Sequence, residues 1–168
     1  AWTIANLLLG AADIDGKPSS VLALPMVAMF IPAALDATFD PIGATLQGAW
    51  HFQGGGGFFG VPLANFLGIM FVNYLCFQIF TLYLSRHPSA VRTGQSVDWW
   101  LQPLAIVAIY AVTPLLLMAF GPDMAAIDPG GAVWQARHVY EGLAVASLCG
   151  AAFLSVAGLF AALRMHQP

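Results

Sequence analysis

Four long apolar segments dominate the pattern of hydrophobic and polar positions along the chain. They span residues 21–40, 62–84, 101–120 and 143–163. Each has the roughly 20 apolar residues that an α-helix needs to cross the hydrocarbon core of a bilayer. Strands of a membrane barrel would alternate apolar and polar residues over short segments, and these runs are continuous. The pattern therefore predicts an all-α fold, a polytopic transmembrane helix bundle with four complete spans.

The chain also opens in an apolar stretch. Residues 1–12 are mostly apolar and begin at Ala1 without an initiator Met or a basic leader. We expect this stretch to be the tail of a further, partial N-terminal helix, in a fragment of a longer protein. Residues 1–168 are expected to form a single transmembrane domain.

The composition excludes the common soluble classes of protein. Hydrophobic residues make up 60% of the chain and charged residues only 8%, and the mean hydropathy is +0.79. A soluble domain carries about 25% charged residues. The five Lys and Arg residues are too few to bind a phosphate backbone, so nucleic acid is not an expected partner. The sequence indicates an integral membrane protein whose surroundings are membrane lipids.

The few cations predict an orientation in the membrane. With four crossings, the loops alternate sides, and one side then holds four of the five basic residues: Lys17, Arg86, Arg92 and Arg164. Only Arg137 lies on the other side. Because basic loops stay in the cytoplasm, loop 48–61 is expected on the outer side of a prokaryotic cytoplasmic membrane.

No metal or redox cofactor is expected. Cys76 and Cys149 lie in apolar runs without CxxC spacing, which favours small core side chains over a disulfide or a zinc site. Lys17, the one lysine, is in a predicted loop, so no retinal Schiff base is expected inside a span. Haem ligation is disfavoured because all four histidines lie at helix ends or in loops: His51, His87, His138 and His166.

Two carboxyl groups at the end of the first span are the main candidates for chemistry. Asp36 and Asp40 are four residues apart and share a helix face if the helix continues through both. An ionisable residue inside a span is costly and is by default a functional hypothesis. Apolar surroundings favour the neutral carboxyl, which is the form that a general acid needs. Asp40 has a second interpretation, because Asp before Pro41 is a standard helix start and could cap a short helix over 41–50.

Aromatic residues and glycines follow the carboxyl pair, with two interpretations each. The aromatic residues are Trp50, His51, Phe52, Phe58 and Phe59. They could form an interfacial belt, or the wall of a site for a flat polyene or a carbocation. The run Gly54–Gly57 permits either a close backbone approach or a simple turn. Asn65 and Asn73 in the second span could join helices or bind a ligand.

Together these residues resemble a known family. The stretch with Asp36, Asp40-Pro41, Trp50 and 57–68, which reads Gly-Phe-Phe-Gly-Val-Pro-Leu-Ala-Asn-Phe-Leu-Gly, resembles the central signature of the polytopic membrane proteins of carotenoid biosynthesis. The resemblance is dense over 22–84. The chain differs from the usual pattern in having Ile69 and Phe52 where tryptophan is common, and in lacking additional N-terminal helices.

The resemblance implies a hydratase of the lyase class, acting on the terminal double bond of an acyclic carotenoid or another polyisoprenoid. Asp36 and Asp40 would then divide the acid and base roles. The substrate-binding residues expected are Trp50, His51, Phe58, Phe59 and Asn65. The alternative is a non-catalytic, pigment-binding accessory subunit of a larger membrane complex, for instance a photosynthetic one.

Overall fold

The computed structural model describes residues 1–9, 18–87 and 97–165, and it is mainly helical. The elements in chain order are α1 (Trp2–Leu8), α2 (Pro18–Asp40), a first π-helical segment (Pro41–Leu46), α3 (Leu63–Arg86), α4 (Val97–Phe120), β1 (Ala125–Ile127), β2 (Val133–Gln135), α5 (Ala136–Ser147), a second π-helical segment (Leu148–Ala152) and α6 (Phe153–Met165). The helical fold is confirmed. The antiparallel strand pair, in which Ala126 faces Trp134, was not predicted.

Two helices in the described residues are long and apolar enough to cross a membrane, Val21–Leu46 and Leu63–Arg86. They correspond to the first two predicted spans. In α4 the shorter stretch Leu104–Phe120 is apolar. The last predicted span, 143–163, runs through the end of α5, the second π-helical segment and α6. A helical membrane protein is therefore supported, whereas the count of four complete spans is not confirmed.

The first span extends past Pro41, where the sequence suggested a boundary. Asp40 has helical backbone angles, with φ −57° and ψ −43°, and makes no side-chain cap. Proline lacks an N–H and crowds the carbonyl four residues before it, so the chain widens into a π-helix instead of breaking. The N–H of Gln47 then reaches the carbonyl of Ile42 at 2.9 Å. Of the two interpretations of Asp40, the one in which it caps a separate helix over 41–50 was therefore wrong.

Two clusters of buried apolar side chains hold the helices together. One joins α1, α2 and α4 through Ile4, Ile31, Leu104, Val107 and Ala111. The other joins the first π-helical segment to α5 through Ile42, Leu46, Ala136, Val139, Tyr140 and Leu143. The buried positions of α5 recur at intervals of three and four residues, so this helix is amphipathic.

The outer faces of the helices are apolar, as expected beside lipid. α3 packs against α2 and exposes large apolar side chains, among them Phe71, Val72 and Ile79. Cys76 and Cys149 are free and exposed, so the expectation that they are core residues was wrong. In a membrane protein, both the lipid and the core between the helices are apolar surroundings. Hydropathy alone therefore does not distinguish a cysteine that faces lipid from one that is buried.

Candidate functional site

Asp36 and Asp40 lie on one face of the continuous helix α2. The amide nitrogen of Asn65, in the first turn of α3, donates a hydrogen bond to Asp40 Oδ2 at 2.5 Å. The two predicted catalytic residues, Asp36 and Asp40, and the predicted binding residue Asn65 are therefore neighbours. Among the described residues, none donates a hydrogen bond to the Asp36 carboxyl.

A groove borders Asp36 on the side of α3. It has a volume of about 470 Å³ and is lined by Asp36, Ala64, Asn65, Gly68, Ile69, Val72 and Asn73. The amide nitrogen of Asn73 is bonded to the carbonyl of Ile69 in its own helix at 2.9 Å. The small side chains of Ala64 and Gly68 leave the space between the helices open. We call this space the α2–α3 groove.

A second groove borders Asp36 on the side of α4. Its volume is about 350 Å³, and its lining is Pro32, Leu35, Asp36, Phe39 and Tyr110. The rings of Phe39 and Tyr110 pack edge to face, with their centroids 4.6 Å apart. Sequence reasoning missed both rings, because nothing local links position 39 to position 110. We call this space the α2–α4 groove.

Phe58 and Phe59, two of the predicted binding residues, form an aromatic cluster at the end of the bundle. Phe58 packs against Phe59 and Phe66, with centroids 5.0 and 5.5 Å away, and Phe59 packs against Trp134 at 5.5 Å. Both rings contact the apolar cluster around Leu143. Among the described residues, neither ring lines the two grooves beside Asp36.

Trp50 and His51, the other two predicted binding residues, are exposed beyond the end of α2. The Trp50 indole lies over Gly43, where a methyl group would overlap the ring. Neither side chain is among the described residues that line the two grooves. Of the five predicted binding residues, only Asn65 therefore lies beside the carboxyl pair.

Asp128 is a buried carboxylate that the sequence analysis did not single out. Its oxygens accept hydrogen bonds from the Trp134 indole at 2.8 Å and from the backbone N–H of Ala132 at 3.0 Å. These donors, the indole first, hold the pKa of Asp128 below its ordinary value. The sequence signal for this site was a turn, Asp-Pro-Gly-Gly at 128–131, followed closely by Trp134.

Asp128 also explains the glycines of the preceding loop. Gly55 and Gly60 have φ values of +66° and +84°, and a Cβ on Gly55 would lie 3.1 Å from the Asp128 carboxyl. The glycine run therefore provides both the turn and the close approach that the sequence allowed. Loops 47–62 and 121–135 meet here at one end of the bundle, and we call them together the loop cap.

The loop cap positions the start of α3. The Thr45 hydroxyl donates to the carbonyl of Phe59 at 2.5 Å, and Phe58 and Val61 form an isolated bridge just before α3 begins at Leu63. Phe59 is held at a φ of +50°, a conformation that is costly outside glycine. Through this loop, the cap fixes where Asn65 meets Asp40.

Fold and site together define a helical membrane protein with a carboxyl pair, of which Asp36 borders two grooves. Comparison with known families makes this more specific: residues 1–128 match the model of a family described as carotenoid biosynthesis protein. Because the match covers most of the 168 residues, the chain belongs to this family. The matched stretch includes the carboxyl pair, Asn65, Tyr110 and Asp128, and it ends before β2. No curated protein and no solved structure matches the chain.

Proposed function

We propose that this protein hydrates the terminal double bond of an acyclic carotenoid, with Asp36 and Asp40 as the acid and base. The observation that carries the proposal is the pairing of two carboxyls on one face of an apolar span, of which only Asp40 has a hydrogen-bond partner among the described residues. Membership of a carotenoid biosynthesis family makes a polyene the substrate class to test.

The different surroundings of the two carboxyls suit different roles. Asp40 accepts a hydrogen bond from Asn65, and an N–H donor stabilises a carboxylate oxygen. Asp36 borders both grooves and has no such donor among the described residues. An apolar site favours the neutral acid, so in this scheme Asp36 starts protonated and Asp40 starts ionised.

The reaction balances without an oxidant or a reductant. The Asp36 carboxyl gives its proton to the less substituted carbon of the terminal double bond, and the π electrons form the new C–H bond. The tertiary cation that results is attacked by the oxygen of a water molecule. The attacking water then loses a proton to Asp40. Transfer of a proton from Asp40 to Asp36 restores the starting state. The net change is alkene plus water to tertiary alcohol.

The test is pigment analysis in a host that accumulates lycopene, an acyclic carotenoid. We expect a new pigment heavier by one water when the protein is expressed. Asp36→Asn should lower its yield roughly 100-fold or more, the usual contribution of a general acid. The matched control is Asp123→Asn, since Asp123 is an exposed carboxylate in the loop cap.

The results separate catalysis from binding. Full product from Asp36→Asn would refute the scheme. Unchanged pigment that co-purifies with the wild-type protein would favour a non-catalytic, pigment-binding accessory subunit instead.

A further inference from the structure

Thr45 and Asp40 bond to the same stretch of chain from opposite ends of the first π-helical segment. The Thr45 hydroxyl donates to the carbonyl of Phe59 at 2.5 Å, and Asp40 accepts a hydrogen bond from Asn65. Residues 40–45 and 59–65 therefore form a closed ring, in which two side-chain hydrogen bonds join two short backbone segments. Each bond holds the ring at one end, so the geometry of one depends on the other.

The first π-helical segment explains why Thr45 can reach this loop. In an α-helix, two residues five apart point about 140° away from each other. In a π-helix the hydrogen bonds join residues five apart, so one turn takes in more residues and Thr45 comes closer to line with Asp40. Both side chains then bond to the chain at the start of α3. Such π-helical turns inside α-helices are frequent at functional sites.

The loop comes very close to the Thr45 hydroxyl. Thr45 is buried, and a Cβ on Gly60, which has a φ of +84°, would overlap the Thr45 oxygen. Phe59, just before this glycine, has a φ of +50°. Backbone strain of this kind persists only where the surrounding contacts hold it. The hydrogen bond from Thr45 to the Phe59 carbonyl is one such contact.

The chain between Phe59 and Asn65 is constrained enough to transmit a displacement. Val61 is completely buried, and it exchanges two backbone hydrogen bonds with Phe58 at 2.9 and 3.2 Å. Pro62 follows with a φ of −77°, and α3 begins at the next residue. Proline fixes φ, so a shift of the Phe59 carbonyl moves the first turn of α3. The amide of Asn65 moves with that turn.

We propose that Thr45 is a positioning residue for the carboxyl pair: its hydroxyl, brought into line by the first π-helical segment, holds the loop so that Asn65 meets Asp40. The consequence for product rests on the proposed hydration, in which Asp40 takes the proton of the attacking water. Thr45 is not among the described residues that line the two grooves beside Asp36. It therefore acts on the reaction through Asn65 and Asp40.

The test removes the hydroxyl and keeps the shape of the side chain. Thr45→Val does this, Thr45→Ser restores the hydroxyl, and Thr45→Ala is a second variant in case Thr45→Val does not fold. The matched control is Thr38→Val, because Thr38 is also buried in the first span and its hydroxyl bonds within α2, to the carbonyl of Ala34 at 3.1 Å. Product from the lycopene-accumulating host and the melting temperature in detergent are measured with and without Asn65→Leu.

We expect Thr45→Val and Thr45→Ala to lower product about three- to fivefold, as for the loss of a hydrogen bond between neutral groups. Thr45→Ser and Thr38→Val should stay within about twofold of the wild type. In the Asn65→Leu background, Thr45→Val should cost less than about twofold, because the pairing that it positions is already lost. An equal loss of product in both backgrounds would overturn the positioning role, as would a Thr45→Ser variant as poor as Thr45→Val.

The melting temperatures distinguish this inference from the proposed function. Two bonds that close one ring should show losses in melting temperature that are less than additive for Thr45→Val and Asn65→Leu. If the wild-type protein forms no product but this pattern appears, hydration fails and the positioning role stands. If the wild type forms product and both Thr45→Val and Thr45→Ala match it, hydration stands and the positioning role fails. Additive losses would overturn the positioning role whether or not product forms.

Discussion

Asp40 and Asn65 are joined by a side-chain hydrogen bond between α2 and α3. Asn65 was expected to bind substrate, and in the structure its amide nitrogen donates to the Asp40 carboxyl. In the proposed scheme Asn65 is a positioning residue, because it acts on the reaction through Asp40. Its effect should therefore depend on the presence of the Asp40 carboxylate.

A double-mutant cycle tests this dependence. Asn65→Leu should lower product about tenfold, since a hydrogen bond to a charged group contributes roughly 1.5–3 kcal/mol. In an Asp40→Asn background the same change should cost little further, because the interaction is already lost. Product yield in the lycopene host measures all four proteins. If the two effects simply multiply, Asn65 does not act through Asp40.

At the scale of the element, the loop cap depends on a buried carboxylate. Asp128 is 5% exposed and joins the glycine loop to the strand pair through Trp134 and the backbone of Ala132. Its pKa lies below the ordinary value in the folded state. A lowered pKa means that ionised Asp128 stabilises the fold at neutral pH, and that this contribution is lost as the pH falls below about 4 through the folded pKa.

We therefore expect Asp128→Asn to lower the melting temperature in detergent at pH 7. The loss of a charged acceptor costs about 1–3 kcal/mol, and each kcal/mol corresponds to roughly 2–4 °C in a chain of this size. The difference between wild type and variant should shrink as the pH falls below about 4. Asp123→Asn, at an exposed site in the same cap, should match the wild type. A difference that does not change with pH would contradict the role of the ionised form.

At the scale of the whole molecule, the two loops of the cap lie at one end and Arg86 lies at the opposite end of α3. Asp128 of one loop lies beside Gly55 and Gly60 of the other, so we expect both loops on the same side of a membrane. Which side that is remains a prediction from the cations. Of these, Lys17 and Arg92 lie outside the described residues.

Cysteine labelling on intact cells tests the orientation. Gln53→Cys, in a background with Cys76→Ala and Cys149→Ala, should react with a membrane-impermeant maleimide, because Gln53 is exposed in the cap. Gln53 is preferable to Gly54 or Gly55, whose positive φ values disfavour a side chain. His87→Cys, at the exposed far end of α3, should react only after permeabilisation. The reverse pattern would invert the topology.

Properties that depend on neighbours along the chain could be predicted from the sequence. Long apolar runs predicted helices in lipid, and the spacing of four residues placed Asp36 and Asp40 on one face. The residues of 22–84 also indicated the family that the comparison confirms. Helix periodicity and hydropathy are local, so they can be derived from the sequence without tertiary contacts.

Which residues far apart in the sequence lie together could be seen only in the tertiary structure. It joined Asp40 to Asn65, placed Asp128 beside the glycine loop, and placed Tyr110 beside Asp36. It also carried α2 through Pro41 as a π-helix, where the local rule favoured a boundary. These outcomes depend on how helices far apart in sequence pack against one another, and local patterns do not encode which helix faces meet.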